Sequence, residues 1–297
     1  MHVVVTGSSG LVGTELVATL RARGDRVVRL VRSSTSEPDT ASWDPERGAL
    51  EPAVFDGVDA VVHLAGENIG TKKWTPDQKQ RLVESRTRGT GLLSGTLAGL
   101  DSKPRRMVSA SAVGIYGDRG DEVLTEQSQM GGGFMAEVCQ EWEAATRPAE
   151  DAGIAVARIR SGVILSPRDG LLKRLLLPFK LGLGGRTGSG KQYMSWIALP
   201  DEVTAIVHLL DNDLVGPVNL TTPHPITNSE FTKTLARVLH RPAVLPTPLF
   251  PLKLVYGAEL VEQLMLNGQR VIPARLDPGF GFRHPELEGA LRALLDR

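Results

Sequence analysis

The sequence predicts an α/β fold, a doubly wound parallel sheet over residues 1–165 with a smaller C-terminal region over 166–297. Three observations point there. Short β-branched runs alternate with helical patterns along the first part of the chain, which is the rhythm of a parallel sheet. These runs are nearly continuous in apolar residues, as strands are when helices cover both faces. After about residue 166 the texture changes: Pro178, Gly182, Gly184, Gly185, Gly188 and Gly190, then Pro242, Pro246, Pro248 and Pro251, interrupt any long element. Such a stretch continues a sheet poorly but suits a lid or a substrate-facing region.

In chain order, residues 2–6 read as the first strand and 11–23 carry helical spacing behind it. Residues 26–31 form the second strand, 60–64 the next, and 79–100 a long helix. Residues 106–109 and 155–159 are further strands, and 217–222 are expected to return one more strand from the C-terminal region to the sheet. Phe134, Val138, Trp142 and Ala145 mark the buried stripe of another helix, which leaves Glu137 and Glu141 on its solvated side.

Composition narrows the function. Lys plus Arg and Asp plus Glu number 34 each, so the formal net charge is zero. That balance supplies no long-range field for nucleic acid or an anionic membrane, and neither is expected as a partner. With 41% hydrophobic residues, the 297-residue chain can bury a sizeable core. Cys139 is the sole cysteine and the six histidines lack ligand spacing, so neither a disulfide framework nor a metal site is expected. The first residues run straight into an apolar strand, and no apolar stretch reaches the roughly 20 residues that cross a bilayer. A cytoplasmic protein follows as the expectation.

Residues 6–13 read T-G-S-S-G-L-V-G, placing Gly7, Gly10 and Gly13, with Ser9, Leu11 and Val12 among them, between a strand and a helix. A tight turn needs positive φ, and a pyrophosphate needs backbone without a Cβ in the way. The helix N-terminus supplies unpaired N–H groups and the positive end of a dipole. This predicts a Rossmann-type, dinucleotide-binding sheet. The end of the second strand selects the dinucleotide. An NAD site carries a carboxylate about 20 residues on, bonded to the ribose 2′-hydroxyl. Here Val31 stands there, followed by Arg32 and Ser33. Valine cannot bond the hydroxyl, whereas a guanidinium grips a 2′-phosphate with charge-assisted bonds worth about 1.5–3 kcal/mol each. NADP(H) is the expected cofactor.

With these residues read, the chain resembles an extended-type short-chain dehydrogenase/reductase (SDR). Within that superfamily it resembles the atypical, sugar-nucleotide epimerase-like group called epimerase family proteins, including their C-terminal domain of unknown function. The likeness runs over nearly the whole length. It is carried by the glycine turn, W-D-P at 43–45, H-L-A-G-E-N-I at 63–69 and S-R-T-R-G-T at 85–90. Further carriers are S-A-S-A-V-G-I-Y-G at 109–117, F-M-A-E-V-C-Q-E-W-E at 134–143, R-S-G-V-I-L at 160–165 and G-L-G-G-R-T-G-S-G-K-Q-Y-M-S-W-I at 182–197. The resemblance implies that Leu64, Ala65 and Gly66 line the path of the two riboses. It puts Arg86, which stands where extended members carry an asparagine, near the cofactor, and Ile164 at the nicotinamide end. Ser111 matches the catalytic serine that bonds a substrate hydroxyl or carbonyl. Arg186, Gln192, Ser195 and Trp196 would border the substrate cleft. Residues 185–191 also fit the opening of a nucleotide P-loop, but Gln192 stands where the Mg²⁺-binding hydroxyl belongs and no strand precedes them.

The pattern breaks at one place. Alcohol-oxidising members use Tyr-x-x-x-Lys, and no tyrosine here has a lysine four residues on. Aligning Glu143 with the glutamate that follows the usual lysine puts Met135 at the tyrosine and Cys139 at the lysine. A thioether carries no proton and a thiol supplies no fixed positive charge. Loss of a positioned acid/base costs about 10²–10⁴ in rate. Replacement candidates are Tyr116, which closely follows Ser111, and Glu67, Cys139 and Glu137. The expected function is an NADP(H)-dependent oxidoreductase or epimerase acting on a small polar molecule such as a nucleotide-sugar, as monomer or homodimer. The alternative is a non-catalytic NADP(H)-binding redox sensor or scaffold.

Overall fold

The computed structural model describes residues 1–33, 37–276 and 279–296. β1 (His2–Thr6) leads into α1 (Leu11–Ala22), β2 (Arg26–Val31) and the edge strands β3 (Thr40–Asp44) and β4 (Ala49–Leu50). There follow β5 (Ala60–His63), the long α2 (Pro76–Ala98), β6 (Arg106–Ala112), the short β7 (Val123–Leu124), α3 (Phe134–Ala144), α4 (Arg147–Asp151) and β8 (Ala155–Ser161). The chain continues through β9 (Val163–Leu165), α5 (Gly170–Lys180), β10 (Tyr193–Met194), β11 (Trp196–Ala198), α6 (Leu199–Asp211) and β12 (Gly216–Leu220). It ends in β13 (Ile226–Thr227), α7 (Asn228–Leu239), α8 (Leu249–Tyr256), α9 (Ala258–Val261), β14 (Arg270–Val271) and α10 (Leu287–Leu295).

Eight strands form one sheet in the order β12-β8-β6-β5-β1-β2-β3-β4. Only β3 and β4 run antiparallel in it; the other neighbours are parallel. The chain starts at β1 and builds outward in both directions, so the strand order reverses there. Ligands of such sheets bind at the carboxyl ends beside that reversal. The two faces divide the side chains by strand alternation. Val3 and Val5 pack with Leu16 and Leu20 of α1 and Val203, Ile206 and Leu209 of α6. Val4, Val61 and Met107 face Leu93 and Leu97 of α2 and Ala149 of α4.

Helix α2 starts earlier than residue 79 because Thr75 caps it, accepting from the Gln78 N–H at 3.2 Å, with Pro76 in the first turn. Strand β6 runs on to Ala112, since Ala110, Ser111 and Ala112 pair with Ile159, Arg160 and Ser161 of β8. Serines and arginines interrupt the apolar runs there, which hid the strand ends in the sequence. Strand β3 carries only Ala41 and Trp43 as apolar residues, too few to form a run.

The C-terminal half rejoins the sheet. Strand β12 pairs parallel with β8, as the 217–222 segment was expected to do. Before it, α6 crosses over and packs on α1. A second core gathers Phe179, Trp196, Phe231, Leu235 and Leu291 from α5, β11, α7 and α10. Strand β14 pairs with β7 and ties the tail back to the nucleotide side. Residues 197–220 share the core of the sheet with the first part of the chain. Among the described residues, no helix is long and apolar enough to cross a membrane.

Candidate cofactor and active site

The parallel strands bring Gly7–Gly13, Arg32–Ser33, Leu64–Gly66 and Ser111 to one edge, at or just beyond the carboxyl ends of β1, β2, β5 and β6, while Ile164 follows β8 closely and sits in β9, paired with β11. Gly7 has φ of 65°, and a Cβ on it would lie 2.7 Å from the Leu64 carbonyl carbon. A Cβ on Gly13 would lie 2.2 Å from the Gly7 oxygen. The turn and the first turn of α1 thus close on each other with no space for a side chain. Gly10 caps α1 without a side-chain hydrogen bond, and no acidic residue occupies the first turn. The first N–H groups of α1, those of Leu11, Val12 and Gly13, lie directly behind this turn and have no partner within the helix. Arg32 and Ser33 are exposed at the end of β2, and Arg32 makes no ion pair with a described residue.

Behind this edge lies a buried clamp. The Thr6 hydroxyl oxygen accepts from the N–H groups of Leu64 at 3.1 Å and Ala65 at 3.2 Å. Both of its lone pairs are then used, so its proton goes to Nδ1 of His63 at 2.7 Å. The other ring nitrogen therefore carries the histidine proton and donates to Thr90 Oγ1 at 2.9 Å, which also accepts from the Trp142 indole at 3.0 Å. Burial pushes the His63 pKa down to about 4, in keeping with this neutral tautomer. Arg86 supports the next residues. Its guanidinium donates to the carbonyls of Leu82 and Glu67 at 3.0 Å each, and it stacks 4.9 Å over Trp142. It lies against Gly66 and shapes the loop from beneath.

The expected catalytic pair is placed otherwise than the sequence suggested. Ser111 is buried, and its hydroxyl donates to Glu143 at 2.8 Å. Arg160, the neighbour of Ser111 across the β6–β8 ladder, donates to both Glu143 oxygens at 2.8 and 2.9 Å. It also donates to the Tyr116 hydroxyl at 3.0 Å. Tyr116 in turn donates to Asn219 of β12 at 2.8 Å. Tyr116 has no exposed surface, and burial lifts its pKa even against the pull of Arg160. It is a strut between β8, β12 and the turn after β6, and the acid/base role expected of it does not fit that position. Burial opposes the charge on Arg160, but the bonds to Glu143 outweigh this and hold its pKa above the usual value.

The other replacement candidates divide. Glu137 and Glu141 are exposed on the outer side of α3, as expected. Cys139 is buried, which pushes its thiol up to about 12 despite the nearby Arg86; a thiol so placed is no proton donor or nucleophile near neutrality. Glu67 is ionised, held low by the Gln78 amide and Lys72. On the substrate side, only Arg186 is exposed; it donates to the Gly188 carbonyl at 2.6 Å. Gln192 spends its amide on the carbonyls of Thr187 and Met265. Ser195 donates to the Gln269 carbonyl at 2.7 Å and accepts from the Val271 N–H at 2.8 Å. Trp196 is wholly buried in the second core. These three stitch the tail to the body of the fold and do not line a cleft.

Comparison with known proteins decides the family. The profile of the NAD dependent epimerase/dehydratase family matches residues 3–220. The chain belongs to that family. A second profile, a domain of unknown function (DUF1731), matches residues 247–294 of this epimerase family member. It is 44% identical over 291 residues to the epimerase family protein Mb2239 of Mycobacterium bovis, covering 97% of this chain and 96% of the relative. The crystal structure of human epimerase family protein SDR39U1 with NADPH superposes with a TM-score of 0.91 at 32% identity, covering 100% of both chains. A nucleoside-diphosphate sugar epimerase from Corynebacterium glutamicum gives a TM-score of 0.82 at 38% identity, covering 99% of this chain and 58% of that one.

In this epimerase family member, Met135, Cys139 and Glu143 lie one turn apart on the face of α3 that packs on β6. The positions of the missing tyrosine and lysine are thus filled by two buried side chains, 8% and 1% exposed. One polar pair at the sheet edge was not read from the sequence. Ser161, half-buried at the end of β8, donates to Glu202 of α6 at 2.6 Å. Glu202 is 1% exposed, and burial lifts its pKa to about 8. Its other oxygen has no partner among the described residues. Only the crossover that lays α6 beside β8 brings the two together, and no spacing in the sequence announces it.

Proposed function

We propose that this protein binds NADP(H) along the carboxyl edge of the sheet and acts as an oxidoreductase or epimerase of the atypical SDR type. Its substrate in this reading is a small polar molecule of the nucleotide-sugar class. The observation that carries the cofactor assignment is the glycine turn, where a Cβ at Gly7 or Gly13 would collide with backbone. The family profile and the NADPH in the human relative support the same reading.

The N–H groups at the start of α1 hold the phosphates, and the exposed Arg32 with Ser33 holds the 2′-phosphate. Leu64, Ala65, Gly66 and Ile164 flank the riboses and ring, with Arg86 fixing the loop beneath. A nicotinamide held there would supply hydride chemistry at a substrate carbon. Ser161, backed by the neutral Glu202, holds a proton at the end of β8, while Arg186 meets the substrate from the exposed side.

A second reading has its own support. Met135 and Cys139 in place of the proton-transfer pair, and Ser111 tied to Glu143, favour a non-catalytic NADP(H)-binding sensor or scaffold. Parallel titrations with NADPH and NADH, read by tryptophan fluorescence, test the shared premise. NADPH should bind tenfold or more tightly than NADH, and Arg32→Ala should abolish that preference. Equal affinities would refute the NADP(H) assignment. With cofactor bound, oxidation of NADPH by a nucleotide-linked ketosugar supports the enzyme; oxidation that is slow and independent of added sugars supports the sensor.

A further inference from the structure

We propose that the face formed by the end of α5, the 181–187 loop and the 241–250 segment docks on the surface of an anionic phospholipid bilayer. This inference goes beyond the proposed reaction and does not depend on it.

Six apolar side chains stand open there: Leu177 at 66%, Leu181 at 65%, Leu183 at 66%, Val244 at 84%, Leu245 at 67% and Phe250 at 78% exposure. Singly exposed leucines need no explanation, but these belong to one surface. The Thr247 N–H donates to the Arg186 carbonyl at 2.8 Å and its hydroxyl to the Gly185 carbonyl at 3.0 Å. Arg241 donates to the Lys180 carbonyl at 3.0 Å. The two segments therefore run side by side, and α8, which follows directly, buries none of its residues.

The two stretches of chain that build this face carry no carboxylate. No Asp or Glu occurs between Asp169 and Asp201, or between Glu230 and Glu259. Lys173, Lys180, Arg186, Lys191, Arg241 and Lys253 all fall within those two stretches. Each is exposed, and none forms an ion pair with a described residue. Elsewhere Arg23, Arg119, Arg158 and Arg292 have carboxylate partners. The zero net charge of the whole chain hides this unpaired positive rim.

An apolar face with a cationic rim matches the boundary between lipid headgroups and acyl chains, where basic residues meet anionic lipid and apolar ones enter the boundary. A second copy of this chain would bring like charges together across a two-fold interface. A protein partner needs complementary pockets for such prominent side chains, whereas a fluid bilayer accepts them without shape matching.

The test is co-sedimentation of the full chain with sucrose-loaded vesicles of phosphatidylcholine, or of an equal mixture with phosphatidylglycerol. The protein should sediment with the mixed vesicles at about 0.1 M salt and be released near 1 M, as the screening length falls from about 10 to about 3 Å. It should stay in solution with phosphatidylcholine alone. Val244→Asp with Phe250→Asp, and separately Lys180→Glu with Lys253→Glu, should each reduce partitioning at least tenfold with the thermal midpoint unchanged. No sedimentation with mixed vesicles at low salt would overturn the proposal, as would partitioning unchanged in both variants. A concentration-dependent dimer dissolved by Phe250→Asp would give the face to a second copy and overturn it equally.

Discussion

Glu202 shows how one buried side chain can set the pH response. Its ordinary pKa is 4.5 and burial raises it to about 8 in the fold. Between those values the unfolded chain ionises the side chain while the folded chain keeps it neutral, so the unfolded state binds fewer protons. Stability is then fullest below pH 4.5 and is lost as pH rises toward 8. Glu202→Gln removes that loss. Relative to the wild type, its urea-unfolding free energy should rise by up to about 4 kcal/mol between pH 5 and pH 8. A parallel pH dependence in the two proteins would show that Glu202 is ionised in the fold. Neither the neutrality of Glu202 nor that of His63 could be read from residue type, since both follow from enclosure.

At the scale of the element, α3 carries a register that was legible and a network that was not. The sequence marked Val138 and Trp142 as part of the buried stripe and left Glu137 and Glu141 outside it, and the structure agrees; that Met135, Cys139 and Glu143 are buried as well was not read from it. The partners of Ser111 and Tyr116 were hidden because Glu143, Arg160 and Asn219 come from α3, β8 and β12. This network is buried, and without Arg160 the Glu143 carboxylate keeps only the Ser111 hydroxyl at 2.8 Å and a longer ion pair to Arg158 at 3.8 Å. Arg160→Met should cost about 3 kcal/mol in urea unfolding, because Glu143 loses its two short charge-assisted bonds and retains only the longer pair to Arg158. Adding Glu143→Gln should recover part of that loss. A cost under 1 kcal/mol for the single variant would mean that Arg158 takes over the pairing of Glu143.

For the whole molecule, the sheet is complete only when the C-terminal half returns to it. α6 covers the face shared with α1, and β12 pairs along β8. A fragment ending at residue 165 would expose Val108, Ala157 and Ile159, which now pack with Ile206, Leu209 and Val218. It should show no cooperative thermal transition and no NADPH-induced fluorescence change. A fragment ending at residue 220 restores the sheet and should regain the transition. Cooperative unfolding of the shorter fragment would make residue 165 a true domain boundary.

The sequence by itself determined the parallel sheet, the glycine cradle, the Arg32 signal and the loss of the tyrosine–lysine pair. Each of these is a local pattern of hydrophobic period, backbone freedom or residue chemistry that neighbouring positions express together. Tertiary structure alone decided that Ser111 and Tyr116 are struts, that Gln192, Ser195 and Trp196 face inward, and that Ser161 meets Glu202. It also set two distant segments that carry exposed apolar side chains and cations without ion pairs side by side. Such pairings join residues tens to more than a hundred positions apart. Whether a polar group bonds water, substrate or another side chain depends on the burial that those contacts create.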